Sequence, residues 1–153
     1  GTILAEQFLA GQVINVAMLG SSDISQGDVA VAVRAGPTTP TSTTLFTYSY
    51  TPKNATSYLL IEYQSKFDLG GAASTDSAQA GIFVANDQIS YTNQNFDPSA
   101  SVRTGMMLPI VGRYTNSSTT AKSIQVRISS LCDDIITVKG DTSTWLKITE
   151  IGR

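Results

Sequence analysis

The sequence contains no histidine, which removes the Ser-His-Asp triad, the Cys-His pair and every histidine-based zinc site. A single cysteine, Cys132, cannot close an internal disulfide, so the fold must rest on packing, and the thiol is expected to be buried. Charge is scarce as well: charged residues make up 14% of the chain, where about 25% is usual. Basic residues are dispersed along the sequence and the net charge is −2, so no segment offers the cationic patch that nucleic acid demands. No apolar run approaches the roughly 18 residues of a membrane-spanning helix, and the opening Gly1-Thr2-Ile3-Leu4-Ala5 lacks the basic region of a signal peptide.

Catalytic and cofactor patterns are missing too. Gly70-Gly71 stands alone, with no G-x-G-x-x-G or Walker spacing to cradle a phosphate. Glutamate occurs only as Glu6, Glu62 and Glu150, and the aspartates sit in turn-like places, which gives no opposed carboxylate pair for glycoside cleavage. Asp133-Asp134 reads as a solvent-facing turn, and Asp23 to Asp28 lacks the distal glutamate of a calcium loop. The expectation is a chain that is not an enzyme and holds neither metal nor cofactor.

What the sequence does have is short runs rich in Val, Ile, Thr, Tyr and Phe, separated by clusters of Gly, Asn, Asp, Ser and Pro. That pattern predicts an all-β fold of antiparallel strands. Strands are expected near Gln12 to Leu19, Asp28 to Arg34, Thr43 to Tyr50, Ser57 to Asp68, Gln79 to Val84, Gln88 to Thr92, Arg103 to Tyr114, Ala121 to Ser129, Ile135 to Lys139 and Trp145 to Ile151. A series of this kind suits a β-sandwich of the jelly-roll type. Residues 16–153 are expected to form this single domain, and residues 1–15, poorer in turn chemistry, an entry segment.

The alternation of Ser57 to Asp68 sets Leu59, Ile61, Tyr63, Ser65 and Phe67 on a core face. Tyr58, Leu60 and Glu62 stand on the other, half-apolar face, and the run from Met106 to Val111 is apolar on both faces. Sheets that are apolar on both sides need a second cover. With little charge to keep a surface monomeric, the expected cover is another copy of the chain, with Tyr58, Leu60, Glu62, Met106, Leu108 and Ile110 at the interface; a loop or terminal segment lying across the sheet is the alternative. Glu62 would then need a donor from a neighbour.

Three segments are familiar as a set: Tyr48-Ser49-Tyr50-Thr51-Pro52-Lys53-Asn54-Ala55-Thr56-Ser57-Tyr58-Leu59-Leu60-Ile61-Glu62, then Gly112-Arg113-Tyr114-Thr115-Asn116-Ser117, and Trp145-Leu146-Lys147-Ile148-Thr149-Glu150-Ile151. In this order they resemble the carboxy-terminal domain of tailed-bacteriophage tail fibres and tailspikes. The resemblance implies a tumour-necrosis-factor-like jelly roll that assembles as a homotrimer at the distal end of a virion fibre, with residues 16–153 as the head and residues 1–15 entering it from an upstream fibre shaft. It also implies binding to the bacterial surface, through a cell-surface polysaccharide or an outer-membrane protein, without membrane insertion. Two other roles fit the same resemblance: a trimerising cap without receptor contact, or an accessory module of a depolymerase tailspike. No binding residue carries over from the family. Tyr91, Asn93, Asn95, Phe96 and Asn116, with the loop Asp68 to Ser77 and the segment Thr92 to Ser101, are chosen as ligand candidates for their amides and aromatics.

Overall fold

The computed structural model describes residues 9–31, 43–69, 76–96, 103–130 and 135–153. These residues form strands and no helix: β1 (Val13–Gly20), β2 (Val29–Val31), β3 (Thr43–Tyr50), β4 (Ser57–Leu69), β5 (Asp76–Val84), β6 (Asp87–Phe96), β7 (Arg103–Thr115), β8 (Lys122–Ser130), β9 (Ile136–Val138) and β10 (Trp145–Gly152). Each expected strand is present, most within a residue or two of its bounds. The exceptions are β5 and β6, which run further toward the connection between β4 and β5 and past Thr92; of the strand expected over Asp28 to Arg34, residues 32–34 lie outside the described residues. Cys132, Asp133, Asp134 and the middle of the loop Asp68 to Ser77 lie outside the described residues, as do residues 1–8 of the lead-in segment.

Two antiparallel sheets face one another. In the first, the order is β1-β10-β4, with β7 along the other edge of β4; beyond the start of β10, β9 takes over that edge and adds β2. The second has the order β3-β8-β5-β6. Setting aside the two three-residue strands β2 and β9, the long strands pair from the outside of the sequence inward: β1 with β10, β3 with β8, β4 with β7, and β5 with β6.

The core between the sheets follows from alternation. Leu59, Ile61, Tyr63, Ser65 and Phe67 are all buried, as the period of two in β4 requires. They meet Ala78, Ala80, Ile82 and Val84 of β5 and Ile124, Val126 and Ile128 of β8 in one apolar cluster. The small residues of β5 let the sheets approach, and the ring of Phe46 packs on that of Tyr63 at 5.5 Å between centroids.

One flank of the sandwich closes where β6 passes β7. Ser90 donates its hydroxyl to the carbonyl of Val111, and a Cβ on Gly112 would come within 2.8 Å of the Cβ of Ser90 and 3.0 Å of Ile89. Only glycine admits that approach without displacement.

Two polar networks fix the ends of the sandwich. At the first, the buried carboxylate of Glu150 accepts from the Tyr50 hydroxyl, the Lys53 and Asn54 backbone N–H groups and the Ser57 hydroxyl, each at 2.9 Å. Asn15 donates to the Tyr50 oxygen at 3.1 Å. At the other end the backbone carbonyl of Lys139 accepts from Ser65 at 2.7 Å, Thr144 at 2.6 Å and the Gln26 side-chain amide at 3.2 Å, while the Tyr63 hydroxyl donates to the Gln26 side-chain Oε1 at 3.0 Å. This second network ties the turn after β1 and the β9–β10 connection to β4, where β10 gives way to β9.

Burial, together with the adjacent Glu150 carboxylate and against the Asn15 bond, pushes the Tyr50 phenol from 10.0 up to about 12. Burial likewise pushes Tyr63 up to about 12. Both phenols stay protonated in the folded chain where an unfolded tyrosine would ionise, so this contribution to stability is complete below about pH 10 and is lost as pH rises toward about 12. Denaturant midpoints measured at about pH 9 and about pH 11 should therefore fall with pH, and the fall should be smaller in Tyr63→Phe, which has one such phenol fewer.

Candidate functional site

The outer faces of the two sheets differ in chemistry. On the first sheet the register assembles rows that cross the strands: Met18, Lys147, Glu62 and Val111 in one, Val16, Thr149, Leu60 and Arg113 in the next, and Ile151, Tyr58 and Thr115 beyond. Met18 is 61% exposed, Val111 54% and Val16 48%. Met107 and Val13 are exposed on the same side, so this face gathers several exposed apolar side chains, interspersed with Lys147, Glu62, Arg113 and Thr115.

Tyr58, Leu60 and Glu62 lie on this face, half-buried, as alternation in β4 requires. Leu108 and Ile110 do not. They sit opposite Ser65 and Tyr63 in the register and are buried in the core of their own chain, which corrects their assignment to an intermolecular surface. The exposed members of that strand are Met107, Pro109 and Val111. Met106 is placed by register alone, opposite Phe67. Glu62 faces Lys147 on the adjacent strand of the same chain, the two charges 3.8 Å apart and both partly exposed. Further along, the guanidinium of Arg113 stacks over the Tyr58 ring at 4.7 Å from its centroid.

The outer face of the second sheet is built from hydroxyls and amides. One row runs Tyr91, Gly81, Arg127, Thr44, and its neighbour runs Asn93, Gln79, Ser129. Tyr91 is 45% exposed and Asn93 is exposed beside it. Arg127 lies over the Phe83 ring at 4.2 Å and donates through Nε to Gln125 and through Nη2 to Gln125 and Asn86. Gln79 is buried, and its Oε1 has no hydrogen-bond partner.

Of the ligand candidates, Tyr91 and Asn93 share this face, while the side chains of Asn95 and Phe96 lie outside the described residues. Asn116 is corrected: it is fully buried, its amide donating to the Asn54 carbonyl at 2.7 Å and its backbone N–H to the Ser57 carbonyl at 2.9 Å. Its side chain belongs to the network around Glu150 and is closed to any ligand. Sequence reasoning overlooked Gln79 and Arg127, which reach Asn93 and Tyr91 only through the pairing of β5 with both β6 and β8. No local signal announces that pairing.

The three segments that carry the fibre-tip resemblance meet in space. Tyr50, Lys53, Asn54 and Ser57 from the first surround Glu150 from the third, and Asn116 from the second closes the cluster. Their shared chemistry is that of a buried structural clip. Neither a scan against protein-family models nor a search of curated proteins finds a match to this chain.

Proposed function

We propose that this chain is the head of a trimeric bacteriophage tail fibre or tailspike, with a jelly-roll fold, and that it binds a polysaccharide on the bacterial surface without acting as an enzyme. The observation that carries the reading is the difference between the two ends of the sandwich. At the Glu150 end lie the start of β1, the last residues and the short connections 51–56, 85–86 and 116–121. At the opposite end lie the strand ends that bound residues 32–42, 70–75, 97–102 and 131–134. A head joined to a shaft at the Glu150 end would present the opposite end outward, and receptor residues commonly occupy exposed connections.

Two further features support the reading. Pairing of the long strands from the outside inward is the pattern of a jelly roll. The apolar outer face of the β1-β10-β4-β7 sheet is suited to burial against identical neighbours around a threefold axis. Weak single sites would then be multiplied by three on one head.

Replacing Val16 and Val111 together with lysine should break the trimer, because each would carry an unpaired charge into the interface. Sedimentation should then give the monomer mass of 16.2 kDa with an unchanged circular dichroism spectrum. The binding step is tested by incubating fluorescently labelled chain with a panel of bacterial strains. Retention on a restricted set of strains is expected, and absence of retention on every strain would contradict receptor binding. One observation favours a second reading, a structural cap without receptor contact: the family-like segments converge on Glu150 and reach no exposed binding face.

A further inference from the structure

We infer that copies of this chain lock together through an ion pair in which Asp87 of one copy enters the cluster of Arg113, Tyr58 and Arg153 on the next. The inference rests on the trimeric reading above and names a contact that fixes one copy against its neighbour.

Charge is distributed unevenly along the sandwich. Toward the middle and the end opposite Glu150, cations are paired within the chain: Lys147 with Glu62 at 3.8 Å, Lys66 with Asp141 at 3.0 Å, and Lys139 with Asp28. At the Glu150 end lie Lys53, Arg113, Lys122 and Arg153, none of which has an ion pair among the described residues. Glu150 does not serve them, because its carboxylate is buried and already accepts from four neutral donors. In a chain of net charge −2, this end carries the unmatched cations.

Two of these cations converge on one ring. Arg113 and Arg153 are both exposed, and their guanidinium groups stand 4.7 Å and 5.8 Å from the centroid of Tyr58. Arg153 also donates to the Asn116 carbonyl, at 3.4 Å. Stacking uses the flat face of a guanidinium and leaves the N–H groups at its edge to donate. Two like charges gathered on one ring are relieved by a carboxylate, whose pair of oxygens matches the guanidinium fork.

A second copy supplies that carboxylate at the right height. Asp87 is exposed at the start of β6 and forms no ion pair within its own chain among the described residues. Strands β6 and β7 cross where Gly112 lies against Ile89 and Ser90. From that crossing Arg113 and Asp87 both lie toward the Glu150 end, and at about 3.3 Å per residue their heights differ by only a few ångströms. Rotation about a fibre axis running from the Glu150 end to the opposite end keeps each residue at its height, so Asp87 of one copy passes at the level of Arg113 on the next. The crossing is also the flank that carries exposed Val111, which makes the ion pair continuous with the apolar surface proposed to close the trimer.

The test is a charge exchange on the full chain: Asp87→Lys, Arg113→Glu and the two together, followed by fluorescence-detected sedimentation from nanomolar to high micromolar concentration. Each single reversal should weaken the trimer tenfold or more, and the double variant should regain most of that loss, because close charge pairs across an interface are energetically coupled. The double variant lacks the Arg113 stack on Tyr58 as much as Arg113→Glu does, so its recovery separates the ion pair from the stacking. Single reversals that leave the trimer unchanged, or a double variant no better than the singles, would overturn the ion pair while the trimer stands. A parent chain that is monomeric throughout the range would overturn the trimeric reading and the ion pair with it.

Discussion

Glu150→Ala should be the most damaging single substitution outside the apolar core. Its carboxylate is the acceptor for Tyr50, Lys53, Asn54 and Ser57, all at 2.9 Å, and no cation stands beside it within salt-bridge distance among the described residues. Truncation removes the acceptor and leaves four donors facing a void. Two of them, the hydroxyls of Tyr50 and Ser57, can turn elsewhere, but the backbone N–H groups of Lys53 and Asn54 are fixed by the turn that carries them. Leaving buried donors unpaired costs about 1–3 kcal/mol apiece, and breaking a buried charged network about 3–5 kcal/mol in total. For a chain of this length a loss of that size lowers the melting temperature by roughly 10 °C. Glu150→Gln keeps the shape and one oxygen, yet turns an NH2 group toward two donors, so its cost should fall between the parent and the alanine variant. Thermal melts of the three proteins check the order; equal melting points for parent and alanine variant would remove the clip from the account.

Gly140→Ala is expected to be nearly as severe, for a steric reason. A Cβ at this position would overlap the backbone carbonyl of Gln26 and stand 2.6 Å from the Cα of Gly27. The obstacle is backbone, held by the bonds from Gln26 to Lys139 and from the Gly140 N–H to Asp28 at 2.9 Å, so no flexible side chain can move aside. Overpacking of this kind costs about 1–3 kcal/mol, and more where the neighbour cannot shift. Because the turn after β1 and the β9–β10 connection separate together, the loss should come with weaker protection of both segments from hydrogen exchange. Gly27 has nothing within reach of an added Cβ, so Gly27→Ala serves as the control and should melt close to the parent.

The sequence disclosed the elements more readily than their arrangement. Strand β4 was legible in full, because Leu59, Ile61, Tyr63 and Phe67 alternate without interruption and bury one face. In β7 the same reasoning misassigned Leu108 and Ile110. A run such as Met106 to Val111 is apolar at every position, so alternation alone cannot say which set points inward; only the register with Tyr63 and Ser65 does. Asn116 was misread for a related reason. An amide in a hydroxyl-rich turn looks exposed in sequence, and its burial follows from a connection made with Asn54 and Ser57, about sixty residues away. Glu150 drew no attention as an acid within a strand, although a buried carboxylate requires donors that the first family-like segment supplies. On the polar face, residue type alone singles out Tyr91 and Asn93 as ligand candidates. Gln79 and Arg127 join them through strand pairing, which composition and periodicity do not encode.

The measurement that bears most directly on the proposed assembly is the solution mass of the intact chain by light scattering over a range of concentrations. The account predicts a stable species of about three times 16.2 kDa, with the apolar face of the β1-β10-β4-β7 sheet buried between copies. A monomer of 16.2 kDa up to high micromolar concentration would contradict it, since Met18, Val16, Val111 and Met107 would then face water in the protein's working state.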